Sequence, residues 1–303
     1  MSNIILITIV TMSVLGIILA MVLYLVAKKF KVEEDPRIDI IEATMPGANC
    51  GGCGFAGCRD FATACVKAGS LEGKFCPVGG NAVMKIVGEK LGLQVEEKAP
   101  SIAVVRCNGN CDVRPRTSIY DGSSSCRVSA SLYNGDTDCA FGCLGLGDCE
   151  AACPFDSIKI NRTTGLPEVN PDTCTACGSC VSACPKQVIE LRPKGPKDRR
   201  LFVACRNKDK GGVARKACTN ACIGCKKCEK VCNFEAISVT DNLAYIDPAK
   251  CRLCRKCAAE CPTGAIHEVN FPPRPPKPAA APASPAAPAA PAAPATETLK
   301  KEE

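Results

Sequence analysis

The sequence predicts an α+β fold: one N-terminal membrane-spanning helix, a small helical unit, two similar modules of short helices and strands, and a disordered Pro/Ala-rich tail. Three observations predict it: an uncharged apolar run near the N-terminus, twenty-six cysteines spread unevenly over 303 residues, and an internal repeat in the order of those cysteines. With four tyrosines, nine phenylalanines and no tryptophan, the chain has little large apolar surface to bury. Modules so rich in cysteine are expected to be held by disulfides or by metal.

The first element is the run from Ile4 to Val26, which is long enough to cross a bilayer as a helix. Lys28, Lys29 and Lys31 follow it, no positive side chain precedes it, and no small-residue cleavage site closes it. That pattern favours an uncleaved anchor over a signal peptide. The lysine flank predicts a single-pass protein of the cell (inner) membrane with the bulk of the chain on the cytoplasmic side. That side is reducing, so metal rather than disulfide becomes the expected staple.

Composition shifts divide the chain into an anchor at 1–27, a four-cysteine domain at 28–98, a first repeat at 99–200, a second repeat at 201–271 and a tail at 272–303. In the four-cysteine domain, Asp60 to Ala68 has helical spacing with Phe61, Ala64, Cys65 and Ala68 on one face. Asn81 is placed to cap a second helix reaching Leu91, with Val83, Ile86, Val87 and Leu91 as its apolar stripe. The stretch NCGGCGFAGCRDFA runs from Asn49 to Ala62, and its Cys50, Cys53 and Cys58 are closed by Cys76 as C-x2-C-x4-C-x17-C. Such a quartet fits one [4Fe-4S] cluster, with zinc as the alternative. Gly51, Gly52, Gly54 and Gly57 are expected to let the backbone approach inorganic sulfur without a Cβ in the way.

In the first repeat Cys107, Cys126, Cys139, Cys143, Cys149 and Cys153 lead to Cys174, Cys177, Cys180 and Cys184. In the second, Cys205, Cys218, Cys222, Cys225, Cys228 and Cys232 lead in the same order to Cys251, Cys254, Cys257 and Cys261. The closing run of each repeat is C-x2-C-x2-C-x3-C-P, the bacterial ferredoxin signature, in which the fourth cysteine serves the other cluster of a pair. The run from Cys222 to Cys232 lacks only the proline, replaced by Asn233, and the run from Cys139 to Cys153 has wider gaps. The crossing rule predicts four sets: Cys139, Cys143, Cys149 with Cys184; Cys174, Cys177, Cys180 with Cys153; Cys222, Cys225, Cys228 with Cys261; and Cys251, Cys254, Cys257 with Cys232. The short runs SIKI, VIEL, AISV and AIHEV that follow each fourth cysteine read as the small strands of two-cluster ferredoxin modules. Overlapping runs of this kind suit zinc poorly, so five [4Fe-4S] clusters are expected in all.

Six cysteines remain. Cys107, Cys126, Cys205 and Cys218, the leading pairs of the repeats, offer a sixth cluster across the pseudo-twofold, with Cys111 as a substitute for one of them; buried free thiols are the alternative. Cys65, on an apolar helix face, reads as core. The formal charge of +7 suggests an acidic partner such as nucleic acid, but each cluster with four thiolates carries a net −2. Five of them turn the balance to roughly −3, so no nucleic-acid partner is expected. Lys194, Lys197, Arg199 and Arg200 form a basic loop, either solvated or a landing site for an acidic redox partner. His267 reads as structural. No G-x-G-x-x-G after a strand, P-loop or Ser/His/Asp set appears, so no catalytic residue and no nicotinamide site is expected.

The N-terminal anchor, the word CGGCGFAGC and the tandem ferredoxin motifs resemble the B-subunit family of Rnf complexes, in its long form with two modules. The resemblance covers nearly the whole chain outside the tail and falls on Cys50, Cys53, Cys58, Cys76 and the ferredoxin-type quartets. It implies a subunit of an ion-translocating ferredoxin:NAD oxidoreductase, a translocase that couples electron transfer to Na+ or H+ movement. Its partners would be the other membrane and peripheral subunits and a soluble ferredoxin whose electrons enter here. Two other readings stay open: a donor that keeps an iron–sulfur transcription regulator reduced, and a zinc-stapled scaffold.

Overall fold

Helix α1 (Ser2–Lys29) is apolar throughout, and its long side chains lie exposed, with none of the span packed inside the protein. That is the state of a helix long and apolar enough to cross a membrane and to take lipid as its solvent. The computed structural model describes residues 2–29, 35–133 and 135–273. Lys31 and all but the first two residues of the expected tail at 272–303 lie outside them. The elements that follow belong to one compact unit, Met1–Asn270.

Three helices build the four-cysteine segment. Helix α2 (Pro36–Glu42) begins with proline at its first position and is capped by Asp35, whose carboxylate accepts from the Arg37 N–H at 2.9 Å. Helices α3 (Cys58–Ala68) and α4 (Gly80–Leu91) each end on a left-handed glycine, Gly69 and Gly92. Ile38, Ile41, Phe61, Ala62, Met84 and Val87 close a core between them. Three expectations differ. Asn81 does not cap α4; it lies inside the first turn, where its side-chain amide donates to the Lys98 carbonyl and its oxygen accepts the Lys98 N–H. The buried stripe of α4 runs through Met84 and Val87, while Ile86 is turned outward, and on α3 Ala62 rather than Ala68 faces inward.

The first repeat runs β1 (Ser101–Val105), α5 (Cys126–Tyr133), α6 (Asp148–Ala151), β2 (Ile158–Asn161), β3 (Leu166–Val169), α7 (Ser179–Ala183) and β4 (Ile189–Pro193). The second runs β5 (Arg200–Val203), α8 (Gly211–Ala217), α9 (Lys227–Lys230), β6 (Ile237–Thr240), β7 (Leu243–Ile246), α10 (Lys256–Ala259) and β8 (Ile266–Val269). In each repeat the outer strands pair antiparallel, β1 with β4 and β5 with β8, and the inner strands form a hairpin. The β6–β7 turn places Asp241 and Asn242 at φ 48° and 59°, the two positive values that a tight hairpin turn requires and that Asp and Asn tolerate. Each inner hairpin is tied to the helix before it by the same bond. Glu150 accepts the Ile160 N–H at 2.9 Å and Glu229 accepts the Val239 N–H at 3.1 Å. All four strands read from the sequence are present; their partners β1, β3, β5 and β7 precede or separate the ferredoxin runs.

The repeats meet through Ile102 and Val104 of β1, against Phe202 of β5 and Ala204 just beyond it. His267 stacks edge-to-face on Phe202 at 5.7 Å, a structural contact. The same junction buries two arginines. Arg106 reaches Glu190 at 3.1 Å and the Val203 carbonyl, while Arg192 pairs with Glu190 and donates to the Leu201 and Ile246 carbonyls. Both guanidinium groups stand about 5 Å from the Tyr245 ring. Burial pulls Arg106 below its ordinary value and Glu190 opposes the pull. A single carboxylate therefore serves two buried cations. Glu190→Ala leaves both without it and is expected to destabilise the protein by about 3 kcal/mol or more, read by anaerobic urea unfolding.

Candidate metal centres

Cys50, Cys53, Cys58 and Cys76 line one small cavity beneath α3. The loop around it is set by Asn49, whose side-chain oxygen accepts the Cys58 N–H at 2.8 Å, and the Cys76 sulfur accepts the Gly79 N–H at 3.3 Å. Gly52 has a different reason to be glycine from the one expected. A Cβ there would lie 2.5 Å from the Cys177 carbonyl oxygen, so the N-terminal loop packs straight onto a cysteine loop of the first repeat. Cys65 is fully buried behind the cavity in the helical core, and burial pushes its thiol up to about 11.

Cys153, Cys174, Cys177 and Cys180 surround a second cavity. Burial, then the neighbouring thiolates Cys174, Cys177 and Cys153, push Cys180 up to about 12. In the second repeat Cys222, Cys225, Cys228 and Cys261 line a third. Cys251, Cys254 and Cys232 are also brought together beside Cys257, which is pushed up to about 12 by burial first and by its neighbours second. Cys225 and Cys254 are the exposed members of these two groups.

A fourth cavity corrects one expected set. It is lined by Cys143, Cys149 and Cys184, and the fourth thiol is Cys126, not Cys139. Burial and the thiolates of Cys126, Cys184 and Cys180 raise Cys149 to about 12. Asp148 brings Cys126 there. Its carboxylate caps α5, accepting the Cys126 N–H at 2.9 Å, the Arg127 N–H at 3.0 Å and the Ser125 hydroxyl at 3.1 Å. Burial acts to raise that carboxyl, but the three donors together hold it below the ordinary carboxylate range. Cys139 points instead to the junction between repeats, where its sulfur accepts from the Asn207 side chain.

The spacing explains the exchange. Cys139-x3-Cys143-x5-Cys149-x3-Cys153 has the same gaps as Cys218-x3-Cys222-x5-Cys228-x3-Cys232. Cys139 therefore corresponds to Cys218, and Leu146 stands where the second repeat has Cys225. Cys126, from α5, supplies the missing thiol. Pairing the cysteines by rank order hides this; pairing them by gap length reveals it. Cys111 joins none of these groups: it is exposed, with its sulfur on the Thr164 carbonyl.

The donor sets suit cubanes better than single ions. Among the described residues no group of three or more His, Cys, Asp or Glu side chains is arranged to hold one metal ion. Four thiolates around a [4Fe-4S] core each bind a different iron and stand farther apart than the four ligands of one tetrahedral zinc. Backbone N–H groups also point at the sulfurs, as Ser157 does at Cys153 and Ala244 at Cys222. The basic loop at 194–200 is largely tied down: Lys194 donates to the Pro171 carbonyl and the buried Arg200 pairs with Asp198.

Three family models match the chain: "4Fe-4S dicluster domain" at residues 221–265, "4Fe-4S binding domain" at 167–190 and "Putative Fe-S cluster" at 45–78. The chain is 43% identical over 266 residues to the B subunit of the Na(+)-translocating ferredoxin:NAD(+) oxidoreductase complex of Acetobacterium woodii, covering 88% of this chain and 78% of that protein. It is 41% identical over 266 residues to the B subunit of the ion-translocating oxidoreductase complex of Methanosarcina acetivorans, covering 88% and 99%. Against the B subunit of the proton-translocating ferredoxin:NAD(+) oxidoreductase complex of Clostridium ljungdahlii the identity is 41% over 269 residues, covering 88% and 93%.

Asp148→Ala removes the cap that holds Cys126 in its group. It is expected to cost about 1 kcal/mol and to hasten bleaching of the visible absorbance during anaerobic unfolding, with Asp148→Asn intermediate.

Proposed function

The chain belongs to the B-subunit family of Rnf complexes, and on that premise we propose that it accepts single electrons from a reduced ferredoxin at its second repeat. It relays them through the first repeat to the N-terminal set beside the membrane helix, for use by partner subunits that reduce NAD and move Na+ or H+. Five [4Fe-4S] sites are held by Cys50, Cys53, Cys58 and Cys76; by Cys126, Cys143, Cys149 and Cys184; by Cys153, Cys174, Cys177 and Cys180; by Cys222, Cys225, Cys228 and Cys261; and by Cys232, Cys251, Cys254 and Cys257. When bound, such clusters supply reversible one-electron chemistry. The protein supplies spacing, burial and docking.

The observation that carries the direction of flow is an asymmetry between the repeats. Exposed Lys226, Lys227 and Lys230 flank the exposed Cys225, and exposed Lys250, Arg252 and Lys256 flank the exposed Cys254. The matching segments of the first repeat, residues 144–152 and 175–183, contain no basic side chain. A cationic rim around two exposed thiols is what an acidic redox protein needs for steered encounter. At the other end, the contact of Gly52 with Cys177 supports direct passage between the first repeat and the N-terminal set. Lys28 and Lys29 in the last turn of α1 support placing this whole assembly on the cytoplasmic side.

Charge reversal at Lys226, Lys227 and Lys230 tests the reading. At low ionic strength it should slow reduction by ferredoxin by about tenfold or more, with added salt narrowing the gap, while reduction by dithionite stays unchanged. An unchanged ferredoxin rate would contradict entry through the second repeat.

A further inference from the structure

The two repeats share a backbone pattern but not the charges at their junction. Val105 pairs with Ile189 in the first repeat as Val203 pairs with Ile266 in the second. Counting from these pairs, Arg192 opposite Ile102 corresponds to Val269 opposite Arg200. Glu190 corresponds to His267, and Arg106, one residue beyond β1, corresponds to Ala204. The first repeat therefore sends two guanidinium groups into the junction with one carboxylate between them, where the second has an alanine, a valine and an imidazole. Arg200 is matched by Asp198 at 3.4 Å. Arg106 and Arg192, each 3% exposed, share Glu190, so that trio carries one positive charge in excess.

The excess lies toward one cysteine set. Arg192 reaches into the second repeat, where its Nη2 donates to the Ile246 carbonyl at 2.8 Å and its guanidinium stands 5.2 Å from the Tyr245 ring. Ile246 ends β7, and the carbonyl of the next residue, Asp247, accepts the Cys251 N–H at 3.1 Å. Burial is the leading influence that raises the Cys251 thiol, and the Arg192 charge acts against it. The first repeat holds Cys174 by the same backbone bond, from its N–H to the Asn170 carbonyl at 3.2 Å. Cys174, however, packs with Val269 against Ile102, Val104, Phe202 and Ala204. Two sites alike in backbone thus differ in the charge beside them. A buried cation favours the reduced form of a cluster, which carries one more negative charge, and water screens that attraction little.

We propose that Arg192 sets the order of reduction between the repeats, making the cluster on Cys232, Cys251, Cys254 and Cys257 easier to reduce than the one on Cys153, Cys174, Cys177 and Cys180. The inference rests on the electron-transfer reading above. The second-repeat cluster gains one electron as ferredoxin loses one, holds it beside Arg192, and is reoxidised when the electron passes toward the first repeat. Arg192 ligates no iron; it tunes the cluster through its charge.

EPR-followed redox titrations of anaerobically purified full-length protein test it. Cys254→Ala and Cys177→Ala each remove or displace one reduction step and so identify the two clusters. In the wild type, the step assigned through Cys254 should lie at the higher potential. Arg192→Gln should lower that step by about tenfold in its equilibrium constant, about 59 mV for one electron, with iron content unchanged. Arg192→Lys, which keeps the charge, should restore most of it, and the step assigned through Cys177 should move less in both. Equal potentials or the reverse order in the wild type overturn the proposal, and decide it even where Arg192→Gln does not fold. Full iron with an unmoved step in Arg192→Gln overturns it as well. If neither cysteine variant changes a step, the cluster assignments themselves fail, and the electron-transfer reading with them.

Discussion

Bringing cysteine thiols together away from water works against the thiolates that a metal needs, because burial and mutual repulsion both favour the protonated form. The rest of the described structure depends on how that opposition is met. Cys180, Cys205 and Cys257 are each raised to about 12, with burial as the leading cause. Backbone N–H groups aimed at the sulfurs relieve part of the penalty. A cationic metal core relieves the rest, which makes folding of these modules inseparable from their loading.

This constraint also accounts for the thin apolar core. The helical unit gathers Ile41, Phe61, Met84 and Val87, and the repeats pack chiefly Ile, Val, Ala and the cysteines themselves around Leu201, Phe202 and Leu243. Where they meet, two arginines and one glutamate lie beside Phe202 and Tyr245. Arg106 and Arg192 at that junction, and Arg114 close by, are buried cations in a region dominated by thiols. The cationic rim of Lys226, Lys227, Lys230, Lys250, Arg252 and Lys256 lies outside, where it stays solvated and available to a partner.

Much of this was legible in the chain. Gap lengths in the ferredoxin runs locate the strands that follow them, and the word CGGCGFAGC marks the N-terminal set. What rank order concealed was the role of Cys126. Local spacing cannot show that a cysteine on α5 is drawn in by Asp148, twenty-two residues further on. Comparing x3 and x5 gaps between repeats exposes Leu146 as the missing position, but not its replacement. Arg114 carries no local signal at all, because what marks it is burial with an Nε that has no hydrogen-bond partner among the described residues. The basic loop at 194–200 stands out by charge density; the rim around Cys225 and Cys254 is interleaved with cysteines, which mask it.

A directed path from the second repeat to the N-terminal set is tested most directly by freeze-quench EPR on anaerobic membranes carrying Cys53→Ala, mixed with reduced ferredoxin and NAD. If electrons follow that path, reduced cluster signals build up on the chain while NADH formation stops. NADH formed at the wild-type rate would contradict it, because electrons would then be leaving without the N-terminal set.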